Sequence, residues 1–399
     1  MLTRYDEYPV HQSSRPFSEI PSTDYAWDDG YFFGLYDAEL GAFLFSGMRV
    51  NPNTDMIGGY AGISVDGRQH TARFSRPWRA DPDTSVGPLS YRFTKPLEVI
   101  HLELGPNDSA LSFDFDWIGV GSVYEEPHHL AYSRGRRTTD QTRYYQSGTG
   151  RGWIAVDGRR FEFEPGQWWG SRDHSWGLYA QRAPLVPAST WLPPAEDPGT
   201  RRGLRWASWW GCADHSGMFS VHESEDGERV TMNDVFGTPL EGGIDLGIGR
   251  ERLRIVDAVQ RLEFHPGTRV MSTAHWTLTD DNGGVWRQTY ERVPSGCWQP
   301  ATIGYAAGSW KDGGSMYTYH GSPSLVQEWD DFHFSALTYD HTMYDGEQRR
   351  NVHSYEYLAR VTTTAPDGTI STGSSHVELF VPGRYTPCGF EREDTSSTP

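Results

Sequence analysis

Trp153-Ile154-Ala155-Val156-Asp157-Gly158-Arg159-Arg160-Phe161-Glu162-Phe163 reads as a single β-hairpin. Two runs with strand character flank an Asp-Gly pair, and Asp-Gly tolerates the positive φ angles of a tight two-residue turn. Phe161 and Phe163 alternate with Glu162 and Glu164, the period of two of a strand that buries one face. The same signals recur elsewhere. Phe113, Phe115 and Trp117 alternate with Asp114 and Asp116, and further Asp-Gly pairs stand at Asp66-Gly67 and Asp367-Gly368. No segment of a dozen residues shows the apolar spacing of an amphipathic helix. With 44 Gly and 25 Pro, the chain is punctuated as many-stranded barrels and sandwiches are. An all-β fold is expected, with helix in fewer than about one residue in six.

At 399 residues the chain has room for two domains. Between Ala183 and Gly203 stand Pro184, Pro187, Pro193, Pro194 and Pro198, which deny the backbone the N–H groups that a long strand or helix needs. The expected organisation is therefore a first β domain over 1–183, a proline-rich linker over 184–202, a second β domain over 203–390 and a disordered polar tail over 391–399. Two related runs flank the linker. The first is Trp168-Trp169-Gly170-Ser171-Arg172-Asp173-His174-Ser175-Trp176-Gly177, and the second is Trp209-Trp210-Gly211-Cys212-Ala213-Asp214-His215-Ser216, which lacks the Arg and the last Trp. Their placement is compatible with two barrels in tandem.

The net charge of −18, with Lys95 and Lys311 the only lysines, argues against nucleic acid and anionic membrane surfaces as partners. Three cysteines, Cys212, Cys297 and Cys388, are too few and too scattered for a disulfide framework or a zinc site. No apolar run approaches the length of a membrane span, and Met1 to Val10 has no apolar core of a signal peptide. A reducing cytoplasm is the expected compartment. Aromatic residues make up 14% of the chain, a composition suited to pleated sheets and to pockets for flat or unsaturated ligands.

The first Trp-Trp-Gly run places a cation, a carboxylate and an imidazole side by side at Arg172-Asp173-His174, between tryptophans. Asp173 could orient His174 for acid–base work, or act as a proton donor itself. The plain structural alternative is a polar loop in which Arg172 and Asp173 pair. Glu125-Glu126-Pro127-His128-His129 gathers carboxylates and imidazoles, but adjacent His side chains on a strand point apart, so a pocket role for one of them, His129, is expected rather than a metal. The pairs His101/Glu103 and His376/Glu378 share a strand face, as polar alternation also produces, and no metal is expected there. Gly170-Ser171-Arg172-Asp173 lacks the glycine of a nucleophile elbow, and Ser147-Gly148-Thr149-Gly150-Arg151-Gly152 lacks the Lys-Ser/Thr of a phosphate cradle. In the second half, a subset of Trp298, Tyr305, Trp310, Tyr317, Tyr319, His320, Trp329, His333 and Tyr339 facing a cavity would give a π-rich wall; Trp310 and Tyr319 are the residues proposed to bind substrate.

Three stretches carry a resemblance: Arg143-Tyr144-Tyr145-Gln146-Ser147-Gly148, Val156-Asp157-Gly158-Arg159 and Arg172-Asp173-His174-Ser175-Trp176-Gly177. Together they resemble the hydroxyneurosporene synthase (carotenoid 1,2-hydratase) and tocopherol cyclase-like superfamily, and more closely its relatives with an R-D-H-S-W-G signature. The resemblance implies two tandem lipocalin-like antiparallel β-barrels, a hydrophobic pocket and no cofactor. It also implies acid–base work on an apolar substrate. The leading reading is a cofactor-independent lyase, hydratase, cyclase or isomerase acting on a terpenoid, steroid or aromatic small molecule. Asp173 and His174 would move the proton, Arg172 would support Asp173 or a substrate oxygen, and Trp176, Tyr145 and His129 would line the pocket. The alternatives are a carrier that binds such a molecule without chemistry, and a purely structural role for the motif.

Overall fold

The structure, a computed structural model, describes residues 14–79, 82–133, 135–179, 203–231, 238–298, 303–304, 309–333, 340–345, 348–353, 356–381 and 383–391. The expected linker, 184–202, lies outside the described residues, as does the expected tail beyond Glu391. In chain order the strands are β1 (Trp27–Asp37), β2 (Ala42–Asn51), β3 (Met56–Val65), β4 (Arg68–Pro77), β5 (Ser85–Val86), β6 (Leu89–Lys95), β7 (Val99–Leu104), β8 (Leu111–Gly119), β9 (Tyr124–Glu125), β10 (His129–Ser133), β11 (Arg136–Val156), β12 (Arg159–Phe163) and β13 (Trp169–Tyr179). The second half adds β14 (Leu204–Cys212), β15 (Ser216–Glu223), β16 (Leu240–Asp245), β17 (Leu253–Phe264), β18 (Met271–Asp280), β19 (Val285–Trp298), β20 (Val326–His333), β21 (Asp340–Asp345), β22 (Gln348–His353), β23 (Glu356–Thr364) and β24 (Ile370–Phe380). Among the described residues the helical content is one 3₁₀ turn, Thr386–Cys388, and no helix is long and apolar enough to cross a membrane.

The protein is all-β, as expected. The hairpins read from the sequence form in register: Val156 faces Arg159 across Asp157-Gly158, and Val65 faces Arg68 across Asp66-Gly67. Asp157 and Gly158 sit at φ 49° and 74°, and Asp66 and Gly67 at 54° and 74°, the left-handed pairs that the tight turn requires. β14 to β19, β23 and β24 close into an eight-stranded barrel. The first half is a sheet in the order β20-β4-β3-β2-β1-β13-β11-β8-β7-β6-β5, with β9, β10 and β12 also on β11. It curls on itself, and at the closing edge Arg76 Nε of β4 donates to Ser85 O of β5 at 3.0 Å. The outer strand β20 comes from the second half of the sequence and runs antiparallel to β4, so the two halves of the chain interlock.

Three apolar cores follow from the alternation. Phe33, Leu35, Phe113, Phe115 and Trp117 fill the curl of the first sheet; Trp206, Trp210, Phe219 and Trp276 fill the barrel. Each such fully buried ring contributes on the order of 2–3 kcal/mol by area removed from water. The third core lies between the two bodies, where Tyr36, Phe43, Phe45 and Tyr60 on the outer face of the first sheet meet Leu358 of the barrel. Thus β1, β2 and β13 lie with one face on the first core and the other against β14, β23 and β24.

The glycine-rich stretch 147–152 is the middle of β11 rather than a cradle, and a Cβ on Gly148 would stand 2.2 Å from the Trp117 ring packed over it. The last glycine of R-D-H-S-W-G has a structural cause as well. Gly177 holds φ +124°, and a Cβ there would lie 2.2 Å from Asp140 O of the neighbouring strand. Gly158, in its turn, would meet nothing within 4 Å. Gly158→Ala should therefore cost about 1 kcal/mol, from backbone strain alone, and Gly177→Ala clearly more, because β13 and β11 must also separate. Urea denaturation of the two variants checks this; equal losses would contradict the β11–β13 register.

Candidate functional site

The pleat divides R-D-H-S-W-G between two environments. Side chains alternate along β13, so Arg172, His174 and Trp176 face the concave core of the first sheet, while Asp173 and Ser175 face the barrel. The expected Arg172–Asp173 and Asp173–His174 pairs therefore do not form. Instead Arg172 donates Nε and Nη2 to Gln146 Oε1 at 3.0 and 2.9 Å, and its guanidinium lies 5.2 Å above the Trp117 ring. The carboxylate on His174 is Asp29, from β1, with Oδ1 2.7 Å from Nε2. Trp176 lies 5.0 Å from the His174 ring.

The outer face of β13 joins a second, buried ionisable cluster. Asp173 stands opposite Tyr145 of β11, and Arg143, two residues along on the same face, stands opposite Ser175. Glu126 N bonds Arg143 O at 2.9 Å, which draws the start of the Glu-Pro-His-His segment on to this face. The Glu126 side chain is 3% exposed and that of His129 5%. Glu126 Oε2 lies 3.3 Å from His129 Nε2 and 3.9 Å from Arg143 Nη1, yet forms no hydrogen bond with either. Asp173 Oδ1 and Glu241 Oε1 are also buried without a hydrogen-bond partner among the described residues. From the barrel side come Glu241, Arg205 and Glu378, with Arg205 Nη2 2.5 Å from Glu378 Oε2.

Desolvation dominates the electrostatics. Burial pushes the Glu126 carboxyl up to about 8; Arg143 opposes the rise, and Glu241 and Asp173 add to it. Burial likewise raises Glu241 and Glu378, and it raises the Tyr124 phenol to about 12. Burial alone would lower Arg143, but Glu126 and Asp173 outweigh it. A cavity of about 590 Å³ opens beside this cluster; its walls include Tyr124 and Pro127, which flank Glu126, together with Glu241, Leu240 and Ile255. A neutral carboxylic acid, an ionised partner and a partly apolar cavity are the elements of proton transfer to an uncharged substrate.

The remaining expected site residues are dispersed. Tyr145 is fully buried in the cluster, where its hydroxyl accepts from Arg252 Nη1 of the barrel, and Arg252 in turn holds Asp245 at 2.9 and 2.6 Å. Trp310 stacks on His320 at 4.1 Å beneath Arg73 and faces neither site, and Tyr319 is 55% exposed. In the second Trp-Trp-Gly run, Asp214 and His215 fall in the turn between β14 and β15, with His215 Nδ1 2.9 Å from Asp214 Oδ1, so this run does not repeat the mid-strand geometry of β13.

Among the described residues, Glu356, His376 and Glu378 bring metal-ligand atoms within 4.8 Å of one another. Burial lowers His376 to about 4, so the neutral ring can donate Nε2–H to Glu356 Oε2 at 2.5 Å. The guanidinium of Arg205 already supplies the positive charge at Glu378. Sequence reasoning missed Glu126, Arg143, Glu241 and Asp29 as site residues. Glu126 and Arg143 lie in stretches that drew attention, but nothing local marks Asp29 or Glu241, which strand pairing and sheet packing bring in.

The curled sheet, the barrel and the ionisable cluster between them define a two-body β-protein with a charged inter-sheet pocket. The chain belongs to a family of unknown function (DUF8625), whose model matches residues 2–391. Comparison with curated proteins finds no match. Similar solved structures include CghA with Sch210972, at 9% identity and TM-score 0.46 over 89% of this chain and 88% of that one. Another is kievitone hydratase from Nectria haematococca, at 10% and 0.38 over 88% of each chain. CghA alone gives 7% and 0.42 over 92% and 89%. At such TM-scores these likenesses carry no argument for what this chain does.

Between its ordinary value of 4.5 and about 8, folded Glu126 binds its proton more tightly than the unfolded chain does, so its burial lowers stability as pH rises through that window. Glu126→Gln, neutral at every pH, escapes this loss. The melting temperature of the variant minus that of wild type should rise from about pH 4.5 to about pH 8 and then level off. Differential scanning calorimetry checks it; a constant difference would show that Glu126 ionises normally.

Proposed function

We propose that this protein is a cofactor-independent acid–base enzyme, a lyase, hydratase, cyclase or isomerase, acting on an apolar terpenoid, steroid or aromatic small molecule held between the first sheet and the barrel. The observation that carries the reading is the buried Glu126 carboxyl beside the cavity at Tyr124 and Glu241. An acid held at about 8 is protonated at neutral pH and still close enough to the working pH to give its proton up. In this reading Glu126 protonates an alkene or carbonyl of the substrate. Asp173, whose Oδ1 has no hydrogen bond, faces the positive charge that develops or takes the proton lost in the following step. His129, 3.3 Å from Glu126 Oε2, is placed to return a proton to the acid, and Arg143, 3.9 Å from the same oxygen, supplies positive charge beside it. The sequence resemblance to the carotenoid hydratase superfamily supports the same class of reaction. The proton donor is moved from His174, the sequence-based assignment, to Glu126, because Asp173 shares a face with Glu126 and not with His174.

Native mass spectrometry of the purified protein should identify a co-purifying hydrophobic molecule and so supply a substrate for assay. With it, Glu126→Gln should lower turnover by roughly 10²–10⁴ while leaving binding within a few fold, the usual effect of removing a positioned proton donor. Unchanged turnover would refute Glu126 as the acid. Binding without turnover in wild type would establish the carrier reading instead.

A further inference from the structure

The concave face of the first sheet holds a second arrangement that the inter-sheet site does not use. Tyr144 of β11 stands opposite His174 of β13, and His174 stands opposite Tyr31 of β1. Asp29 Oδ1, 2.7 Å from His174 Nε2, accepts a hydrogen bond from that nitrogen, which leaves Nδ1 as the acceptor for the Tyr144 hydroxyl at 3.3 Å. On its other side the Tyr144 oxygen accepts from Arg172 Nη1 at 3.3 Å, and the guanidinium lies 5.2 Å from the centre of the same ring. Arg172 is fully buried, held by Gln146 and stacked on Trp117, so it cannot swing away to solvent. His174 is 16% exposed and Asp29 41%, so the relay runs from the core to an open rim. The rim is aromatic: Tyr31 stacks on His174 at 4.1 Å, Trp176 lies 5.0 Å from it, and Phe93 lies 5.2 Å from Tyr31.

We propose that this rim is a second proton-transfer site, in which Tyr144 is the acting base and its ligand is a flat, weakly acidic molecule, a phenol or an enolisable ketone. As Tyr144 Oη takes the ligand O–H or α-C–H proton, its own proton passes to His174 Nδ1, and the ligand is left as phenolate or enolate. Arg172 faces the oxygens that carry negative charge, and Asp29 faces the imidazolium that forms. Return of the proton along the same path completes the cycle, with no oxidant or further reactant. The aromatic rim selects flat molecules by stacking. The site shares no acting residue with the cluster at Glu126, so either can fail without the other.

An aryl fluorosulfate probe tests the relay on the full-length protein. Tyr144 Oη attacks the sulfur, the O–S bond forms as S–F breaks, fluoride leaves and the proton goes to His174. Peptide mass spectrometry should find Tyr144 labelled roughly tenfold or more faster than the exposed Tyr25 and Tyr319, by the usual worth of a positioned base. His174→Asn should remove that advantage, and Asp29→Asn, at a half-exposed position that leaves the core intact, should reduce it. Excess 2-naphthol should protect Tyr144 and leave Tyr25 unaffected, whereas cyclohexanol should protect neither. Labelling of Tyr144 no faster than Tyr25, or undiminished in both His174→Asn and Asp29→Asn, would overturn the relay. Equal protection by 2-naphthol and cyclohexanol would overturn the ligand assignment.

Discussion

The structure turns on ionisable groups sealed between the outer faces of two β-bodies. Asp28, Glu126, Asp173, Glu241, Asp245, Glu356 and Glu378 meet Arg49, Arg143, Arg205 and Arg252 across this seam. Several pairs are close, as in Asp28 with Arg49 at 3.0 Å and Asp245 with Arg252 at 2.6 Å. Among these described residues the acids outnumber the guanidiniums. In a region of low dielectric an unbalanced carboxylate is too costly to keep, and the acid takes up a proton instead. Glu126, close to His129 but not hydrogen-bonded to it, bears that outcome.

Buried ion networks of this kind are poor sources of stability, since apolar residues of similar volume often do as well or better. The apolar patch around Tyr36, Phe43, Phe45 and Leu358 also joins the two bodies. In the proposed function the charges beside it serve proton transfer: a proton held where water is scarce, next to space for a substrate. The same logic orders the R-D-H-S-W-G strand. One face places Arg172 and His174 beside Tyr144 and Asp29, and the other places Asp173 in the field of Arg143 and Glu126. A single strand thus serves two environments, with Gly177 allowing it to lie close against β11.

Much of the fold was legible because its signals are local. Asp157-Gly158 and Asp66-Gly67 dictate turns by their own φ angles, and Phe113, Phe115 and Trp117 face inward by alternation alone. The passage of β20 into the first sheet was not legible, since nothing in Val326–His333 specifies which sheet edge it joins. The site was legible in part for the same reason. Arg172, Asp173 and His174 announce chemistry by their crowding, but the pleat that sends neighbours to opposite faces breaks the pairing that their adjacency suggests. The true partner of His174 is 145 residues away in sequence, and Glu241 approaches Glu126 across the seam between the bodies.

The central claim is that one carboxyl group in the seam stays protonated at neutral pH. Infrared difference spectroscopy between wild type and Glu126→Gln measures it directly. At pH 7 the difference should contain the carbonyl stretch of a protonated carboxylic acid, and the band should fade as pH rises through about 8. A carboxylate signature at pH 7, with protonation appearing only in the ordinary range of an exposed glutamate, would contradict the account.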